Sequence, residues 1–308
     1  MRETRWGNLA VSDAHVHFFS ENFFRLLCAQ APGLNPSDAI VSLGWTAPPS
    51  DPRALAQHWV SELDRCGVDA AVCIASIPGD ATSVTAAVTA FPERLRGYIM
   101  VNPSAPGALQ ELEALLAGAG VHGICLFPAM HRYSLHDDRA QAIIAAAAAH
   151  PGVVVFVHCG VLSVGVRRRL GLPSPFDLHF SNPVDLHSIA LRFPQVRFVI
   201  PHFGAGYFRE ALMVCDLCPN VWLDTSSTNH WMAYEQLTLP AVFRRALAVA
   251  GPDRLVFGTD SSFFPRGWHA EIFEQQAAAL RECGADEEVA RKIFSGNFSR
   301  LFGAKQVA

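Results

Sequence analysis

The feature that most constrains this chain is a regular alternation of short apolar runs with longer stretches of helical period. Eight such runs, rich in β-branched residues, lie at 9–17, 69–75, 95–101, 121–127, 152–158, 196–202, 220–225 and 254–260. Runs of this length separated by helices are typical of repeated βα units with a parallel sheet. Eight such units close a (β/α)8 barrel. The sequence therefore predicts an α/β fold, a single TIM barrel over residues 1–308.

Helical segments are predicted between these runs, and the first has clear end signals. Asp51 and Pro52 provide an N-cap and a first-turn proline, and Gly67 ends the helix. The other segments lie at 81–91, 107–118, 137–150, 183–193, 206–218, 240–250 and 268–283. Because residues 286–302 follow the eighth run, we expect an extra C-terminal helix beside or beneath the barrel.

Two connections are too long to be plain turns between a strand and a helix. They are residues 18–50 after the first strand and residues 159–182 after the fifth. Both leave the C-terminal ends of strands, the face on which barrel enzymes build their active sites. No linker, repeat or low-complexity tract divides the chain, so we expect one domain.

The charge and composition of the chain limit the classes of molecule that it is expected to bind. The net charge of −4 arises from 28 acidic and 24 basic residues spread along the chain, so a nucleic-acid-binding patch is not indicated. The N-terminus has no apolar signal-peptide core, and Gly, Pro or His interrupts the longest apolar runs. We expect a cytoplasmic protein that acts on a small molecule and binds neither nucleic acid nor membrane. A homodimer is compatible with the sequence, which does not define the oligomeric state.

The eight cysteines are scattered, mostly within apolar segments. In a cytoplasmic protein of this size they are expected to be reduced core residues. Only Cys215 and Cys218 have the spacing of a metal or redox pair, and no second pair is positioned to complete a zinc site. We therefore expect no structural zinc site at these cysteines.

Histidine and aspartate residues gather at the C-terminal ends of the predicted strands. On the first strand, side-chain alternation places Asp13, His15 and His17 on one face, with the two histidine backbones about 7 Å apart. The later strands contribute His158, His202, Asp224 and Asp260. A single His-x-His pair often occurs by chance. This many histidine and aspartate residues at one end of a barrel are not expected by chance. Together they predict a metal site.

Several motifs in the chain resemble those of the amidohydrolase superfamily. They are Asp13-Ala14-His15-Val16-His17, Val157-His158, Pro201-His202-Phe203-Gly204, Phe257-Gly258-Thr259-Asp260 and the ending at 293–302. The most similar branch is amidohydrolase 2, which contains aminocarboxymuconate-semialdehyde decarboxylase, aromatic-acid decarboxylases and lactone hydrolases. The resemblance covers nearly the whole chain and implies a distorted TIM barrel with one divalent metal ion.

The resemblance also implies the ligand set. The metal would be held by His15, His17, His158 and Asp260, and His202 would act on the substrate or on the water bound to the metal. Three imidazoles and one carboxylate suit Zn²⁺, with Mn²⁺ as the alternative. An open coordination position would hold a water molecule whose pKa the metal lowers towards neutrality.

The site residues can be given expected roles. Asp260 can contact the metal and also accept the proton of the water, which makes it a catalytic candidate. His202 can polarise a carbonyl or move a proton at neutral pH. Asp13 is expected to orient an imidazole or to support its strand, and Asp224 is expected to orient His202, both as residues outside the ligand set.

A residue on the fourth predicted strand indicates how many metal ions to expect. Binuclear members of the superfamily carry a carbamylated lysine there, whereas this chain has Cys125. The two lysines of the chain are Lys292 and Lys305, both near the C-terminus. A bridged pair of metal ions is therefore not expected. The glutamate of nuclease-like relatives is also missing, and Cys125 is interpreted as a core thiol in preference to a soft ligand.

The loops of the same face indicate the class of substrate. They carry Arg132, Arg266 and Trp231 among other arginines and aromatic residues, which together could bind a carboxylate and stack on a flat ring. Arg266 is the strongest candidate because its loop leads directly away from Asp260. At least two of the three residues of Arg167-Arg168-Arg169 are expected to be merely solvated.

Three functions remain open from the sequence. A hydrolase would use the activated water on a lactone, amide or ester of a small carboxylated cyclic or aromatic compound. A decarboxylase would use the same site to hold a carboxylic acid that loses CO₂. A metal-binding protein without turnover is disfavoured because Asp260 and His202 are both retained. The wider superfamily favours the hydrolase slightly.

Overall fold

The computed structural model describes residues 1–226 and 229–302, so that Lys305 lies outside the described residues. Its main sheet has eight parallel strands in chain order. The strands are Ser12–His17, Ala70–Ala75, Leu95–Val101, Gly123–Leu126, Val154–Val157, Arg197–Ile200, Val221–Asp224 and Leu255–Val256. Each lies within one of the eight predicted runs, so the predicted strand count is confirmed.

The first and eighth strands meet and nearly close the sheet. The amide of Ala14 donates to the carbonyl of Phe257 at 2.8 Å, and the amide of Asp260 donates to the carbonyl of His15 at 3.0 Å. A third bond, from the amide of His17 to the carbonyl of Ser261, measures 2.7 Å. These bonds continue past the end of the short eighth strand and confirm the predicted TIM barrel.

Helices surround the barrel where the sequence predicts them. They are Pro52–Cys66, Ala81–Ala90, Ala108–Ala117, Asp138–Ala148, His187–Arg192, Phe208–Leu217, Leu239–Val249 and Ala270–Glu282. The predicted helix 183–193 starts as a 3-10 turn, Pro183–Leu186, in which the side chain of Asn182 accepts a hydrogen bond from the amide of Val184. None of the helices in the described ranges has both the length and the apolar character needed to cross a membrane.

Additional secondary structure outside the barrel sheet is found near both ends of the described residues. At the C-terminus, Glu287–Arg291 and Asn297–Phe302 flank a π-helical turn, Lys292–Gly296, which confirms the predicted extra helix. At the N-terminus, Arg2–Thr4 and Gly7–Leu9 form an antiparallel hairpin that was not predicted, because each strand has only three residues.

The core has an outer layer between sheet and helices and an inner layer inside the barrel. The inner layer includes Tyr98, Cys125 and Phe156, each 0–1% exposed. Burial raises the pKa of the Cys125 thiol well above its usual value. The interpretation of Cys125 as a core thiol is therefore supported. Cys215 and Cys218 are also buried, reduced residues.

The two long connections pack on each other at the C-terminal end of the barrel. The first contains helices Glu21–Cys28 and Pro36–Leu43, and the second contains Gly165–Arg169. Their apolar side chains form one cluster, which includes Phe23, Phe24, Leu27, Ile40, Leu43, Val166 and Leu172. We call this two-part structure the cap.

Two arginines join the halves of the cap. Arg167 donates to the side chain of Gln30 at 2.6 Å, and Arg169 donates to the carbonyl of Leu43, also at 2.6 Å. At least two of residues 167–169 were expected to be solvated, and Arg168 and Arg169 are indeed exposed; the contacts that Arg167 and Arg169 make across the cap were not predicted. A one-dimensional pattern of charge does not reveal acceptors that lie more than a hundred residues away.

Candidate metal centre

His15, His17 and Asp260 come together at the C-terminal end of the barrel. Each offers one ligand atom, and these three atoms lie within 4.8 Å of one another. Asp260 Oδ1 is 3.0 Å from His17 Nε2 and 3.7 Å from His15 Nε2. A tetrahedral ion with bonds near 2.1 Å places its ligand atoms about 3.4 Å apart. The spacing of the three side chains therefore fits a single divalent ion.

Hydrogen bonds turn the Nε2 atom of each histidine towards Asp260. His15 Nδ1 donates to the carboxylate of Asp224 at 2.6 Å. The Ser76 hydroxyl donates to the carbonyl of Ile74, so its oxygen can accept from His17 Nδ1, which is 2.7 Å away. Outer partners of this kind fix the tautomer of metal-binding histidines. The Nε2 atom of each ring therefore faces the carboxylate of Asp260, where both could bind a cation together with that carboxylate.

The charge of Asp260 suits a metal ligand. Burial by itself would raise the pKa of this carboxyl, but the hydrogen bond with His17 and the nearby His15 and His202 imidazoles hold the pKa well below its usual range. The carboxyl is therefore ionised at neutral pH. The backbone of Asp260 has a φ of 61°, a left-handed conformation that is uncommon for a residue with a side chain.

Asp224 contacts a different histidine from the one predicted. The sequence analysis assigned it to His202, whereas its carboxylate binds Nδ1 of His15. The eighth strand lies between Asp224 on the seventh strand and His15 on the first. Gly258, just past the end of the eighth strand, lies between their two side chains. A Cβ atom at Gly258 would come within 2.7 Å of Asp224 Oδ1 and 2.9 Å of the Cβ atom of His15. The missing side chain therefore lets Asp224 reach across the eighth strand.

His202 is held by Ser226, which the sequence analysis missed. His202 Nδ1 lies 3.0 Å from the Ser226 hydroxyl and 3.2 Å from the Ser226 carbonyl. The same hydroxyl is 3.0 Å from His15 Nδ1. Burial and the neighbouring His15 imidazole lower the pKa of His202, so His202 is neutral at pH 7. Ser226 therefore links a candidate ligand to the candidate acid-base residue.

His158 lies beside His202 but outside the group of three ligand atoms. The two ring centroids are 5.4 Å apart, and His158 also stacks on Phe127 at 5.2 Å. The side chain is buried, and its Nδ1 atom has no hydrogen-bond partner within the described ranges. Burial keeps the pKa of His158 well below its usual value. A neutral imidazole is able to bind a metal, and the assignment of His158 as a ligand stays a prediction.

Asp13 supports its strand and makes no hydrogen bond to an imidazole ring among the described residues. Its carboxylate accepts the amides of His15 at 2.9 Å and Thr259 at 3.1 Å, together with the indole N–H of Trp268 at 2.8 Å. Burial raises the pKa of Asp13 to about 6, although these hydrogen bonds oppose the rise. Of the two roles expected for Asp13, the contacts favour strand support.

Arg266 is the predicted substrate residue that the structure brings to the metal ligands. Its guanidinium donates to the carbonyl of Asp260 at 3.3 Å and to the hydroxyl of Ser262 at 2.9 Å. The central carbon of the guanidinium lies 4.5 Å from the ring centre of Phe263. The side chain is exposed, so the remaining N–H groups can reach a ligand in solution.

A series of nearly parallel aromatic rings joins Arg266 to the metal ligands. Phe263 stacks on Trp45 at 4.2 Å with an angle of 10°, and Trp45 stacks on Phe19 at 5.7 Å with an angle of 14°. Phe19 in turn lies 5.6 Å from the ring of His17. The cap therefore contributes aromatic surface beside the candidate metal site.

Arg132 and Trp231 are not brought to this group. Arg132 is an exposed residue that ends the short helix Pro128–His131 with a φ of 57°. Trp231 is 2% exposed and packs 5.6 Å from Phe208 in the outer core. Contact of either residue with a substrate stays a prediction.

The first testable prediction concerns metal content. Protein purified without chelators should contain one divalent ion per chain, and His17→Ala should retain less than a tenth of it, because one of three converging ligands is lost. His58→Ala, at an exposed position on the helix Pro52–Cys66, is the matched control and should retain the ion. Elemental analysis of the three proteins decides the result. Two tightly held ions, or an unchanged His17→Ala variant, would contradict the prediction.

Comparison with solved structures finds similar folds at low sequence identity. A 5-carboxyvanillate decarboxylase from Sphingomonas paucimobilis has a TM-score of 0.64 and 17% identity, covering 96% of this chain and 99% of its own. A zinc-bound amidohydrolase from Burkholderia multivorans gives 0.64 and 16%, covering 95% and 99%. A probable 2-pyrone-4,6-dicarboxylic acid hydrolase from Acinetobacter baumannii gives 0.60 and 16%, covering 96% and 100%. At these identities the comparison shows the fold alone.

Comparison of sequences identifies the family. Protein fluG of Emericella nidulans is 33% identical over 85 residues, a match that spans 28% of this chain and 10% of that protein. The family model described as amidohydrolase, Amidohydro_2, matches residues 12–304. That match contains all the candidate ligands and nearly all of the barrel. The chain therefore belongs to the amidohydrolase 2 family.

Proposed function

We propose that this protein is a mononuclear metal-dependent hydrolase of a small carboxylated cyclic or aromatic compound. The observation that carries the proposal is the convergence of His15, His17 and ionised Asp260 beside the exposed Arg266. We propose Zn²⁺ as the native ion because imidazole and carboxylate ligands suit it, with Mn²⁺ as the alternative. His158 is proposed as the fourth ligand.

A divalent ion bound in this site would supply Lewis acidity and would lower the pKa of a water molecule towards neutrality. The residues of the chain provide the remaining functions. Asp260 is ionised, so a carboxylate oxygen that is not bound to the ion can accept a proton from the attacking water. Neutral His202 can exchange a proton with the substrate through Nε2, since Nδ1 is engaged by Ser226.

The substrate class rests on Arg266 and the neighbouring rings. A guanidinium binds a carboxylate through two parallel N–H bonds, and it does so more strongly than a neutral donor. The aromatic surface of Phe263 and Trp45 suits a flat ring, which can stack at little entropic cost. Together they favour a planar acid over a flexible or polymeric substrate.

Decarboxylation is the second candidate. The same ligands could hold a carboxylic acid while a protonated group supplies the proton that replaces the lost CO₂. A decarboxylase of 5-carboxyvanillate shares this fold over nearly its whole length, and that similarity supports keeping the alternative. Metal binding without turnover is disfavoured because Asp260 is ionised and His202 is held beside the ligand His15 by Ser226.

Product analysis tests the reaction class. The metal-loaded protein is incubated with a panel of carboxylated lactones and amides and of aromatic carboxylic acids, in ¹⁸O-labelled water or in D₂O. The proposal expects ¹⁸O in a newly formed carboxylate with no CO₂. Release of CO₂ with deuterium on the carbon that had carried the carboxyl group would establish the second candidate and reject the first.

The second prediction separates catalysis from folding. His202→Asn should lower kcat by at least a hundredfold, the usual contribution of a general acid or base, and should change the melting temperature little. Asp260→Asn should lower kcat at least as much, because it removes a proposed metal ligand as well as the proton acceptor. Asp216→Asn alters an exposed residue on the helix Phe208–Leu217 and serves as the control that should keep full activity. Activity and thermal melts are measured on the same samples. Near-normal turnover of either site variant would remove the role assigned to that residue.

The third prediction tests Arg266. Arg266→Ala should raise KM by tenfold or more, because one charge-assisted contact contributes about 1.5–3 kcal/mol. The matched control is Arg291→Ala, which removes an exposed guanidinium from the C-terminal helix Glu287–Arg291. Steady-state kinetics on the best substrate of the panel provide the measurement. Equal KM values for both variants would end the case for Arg266.

A further inference from the structure

His202 begins an unusual backbone turn after the sixth strand. Five successive residues have positive φ, with values of 54° at His202, 53° at Phe203, 88° at Gly204, 43° at Ala205 and 98° at Gly206. Three of them carry side chains, which disfavour this left-handed conformation. We call the segment the left-handed turn. Its conformation requires support from the surrounding structure.

Gly160 supports the left-handed turn from the neighbouring connection. A Cβ atom at Gly160 would lie 2.2 Å from the carbonyl oxygen of Gly204 and 2.3 Å from that of Ala205. Next to it, the amide of Val161 donates to the carbonyl of Ala205 at 2.7 Å. The turn therefore packs directly against the bare α-carbon of Gly160, at a distance that no other residue type permits.

The left-handed turn fixes the backbone of His202, and Ser226 fixes its ring. The carbonyl of His202 accepts a hydrogen bond from the amide of Ala205 at 2.9 Å. The ring nitrogen Nδ1 lies 3.0 Å from the hydroxyl of Ser226, two residues past the end of the seventh strand. A displacement of the turn would therefore change the distance between His202 and Ser226.

We propose that Gly160 is a positioning residue for His202. Its lack of a side chain lets the left-handed turn pack against the fifth-strand connection, and this packing holds the imidazole against Ser226. The proposal rests on the proposed function for its kinetic consequence only. Its structural consequence is a fixed position of the His202 ring against Ser226. Spectra of that ring can test this even if no substrate is turned over.

The chain offers a matched control for the strain of a positive φ. Gly160 has a φ of +80° and Gly171, in the same connection, has a φ of +67°. No atom lies within 4 Å of a Cβ atom at Gly171. Gly160→Ala and Gly171→Ala therefore impose similar backbone strain, but only Gly160→Ala adds a collision with the left-handed turn.

The test compares the two variants with the unaltered protein by four measurements. Long-range ¹H–¹⁵N spectra report the ring of His202, assigned by comparison with His202→Asn. Elemental analysis, thermal melts and steady-state kinetics follow. Relief of the collision requires a shift of roughly 1 Å, and a misplacement of that size lowers turnover by about a hundredfold. Gly160→Ala should show that loss in kcat, altered His202 nitrogen shifts and an unchanged metal content.

Gly171→Ala should lower the melting temperature less than Gly160→Ala, because it imposes the backbone strain without the collision, and it should leave the His202 signals and kcat unchanged. Two results would overturn the proposal: unaltered His202 signals in Gly160→Ala, with or without loss of metal, or equal effects of both variants on kcat. Failure of the proposed function has a different signature, since the unaltered protein would then show no turnover while the His202 signals still responded to Gly160→Ala.

Discussion

Closure of the barrel between its first and last strands is the constraint on which the site depends. His15 and His17 lie near the start of the chain and Asp260 near its end, so their ligand atoms meet only when these strands pair. The buried carboxylate of Asp13 completes the junction by binding the side chain of Thr259, a contact that spans 246 residues of sequence. Folding of the whole barrel is therefore a precondition for assembling the candidate metal site.

The polar groups below the ligands form one connected network, which explains why several of them are fully buried. Asp224 binds His15, Ser226 lies between His15 and His202, and Gly258 leaves the space through which Asp224 reaches its partner. Buried polar groups are costly unless they are paired, and here each pairing also orients a ring. The same contacts therefore contribute to stability and to the geometry proposed for catalysis.

The sequence predicted the strands well because hydrophobic period and β-branched composition are local signals, and it located the polar residues because strand ends converge in a barrel. It could not assign partners that depend on side chains from different strands. Asp224 was wrongly assigned to His202. Its contact with His15 depends on the space that Gly258 leaves between the two side chains, and the sequence does not show that space. Ser76 and Ser226 were missed because serine at a strand end is too common to carry information. The contacts of Arg167 and Arg169 across the cap likewise depend on acceptors more than a hundred residues away, the side chain of Gln30 and the carbonyl of Leu43.

The central claim is that His15, His17 and Asp260 bind one metal ion. The most direct measurement is anomalous diffraction from crystals of the protein, collected above and below the zinc absorption edge, or the manganese edge if elemental analysis finds that metal. The account predicts one strong anomalous peak per chain, within bonding distance of His15 Nε2, His17 Nε2 and an oxygen of Asp260. A metal-containing crystal with no peak there, or with two peaks bridged by shared ligands, would contradict it.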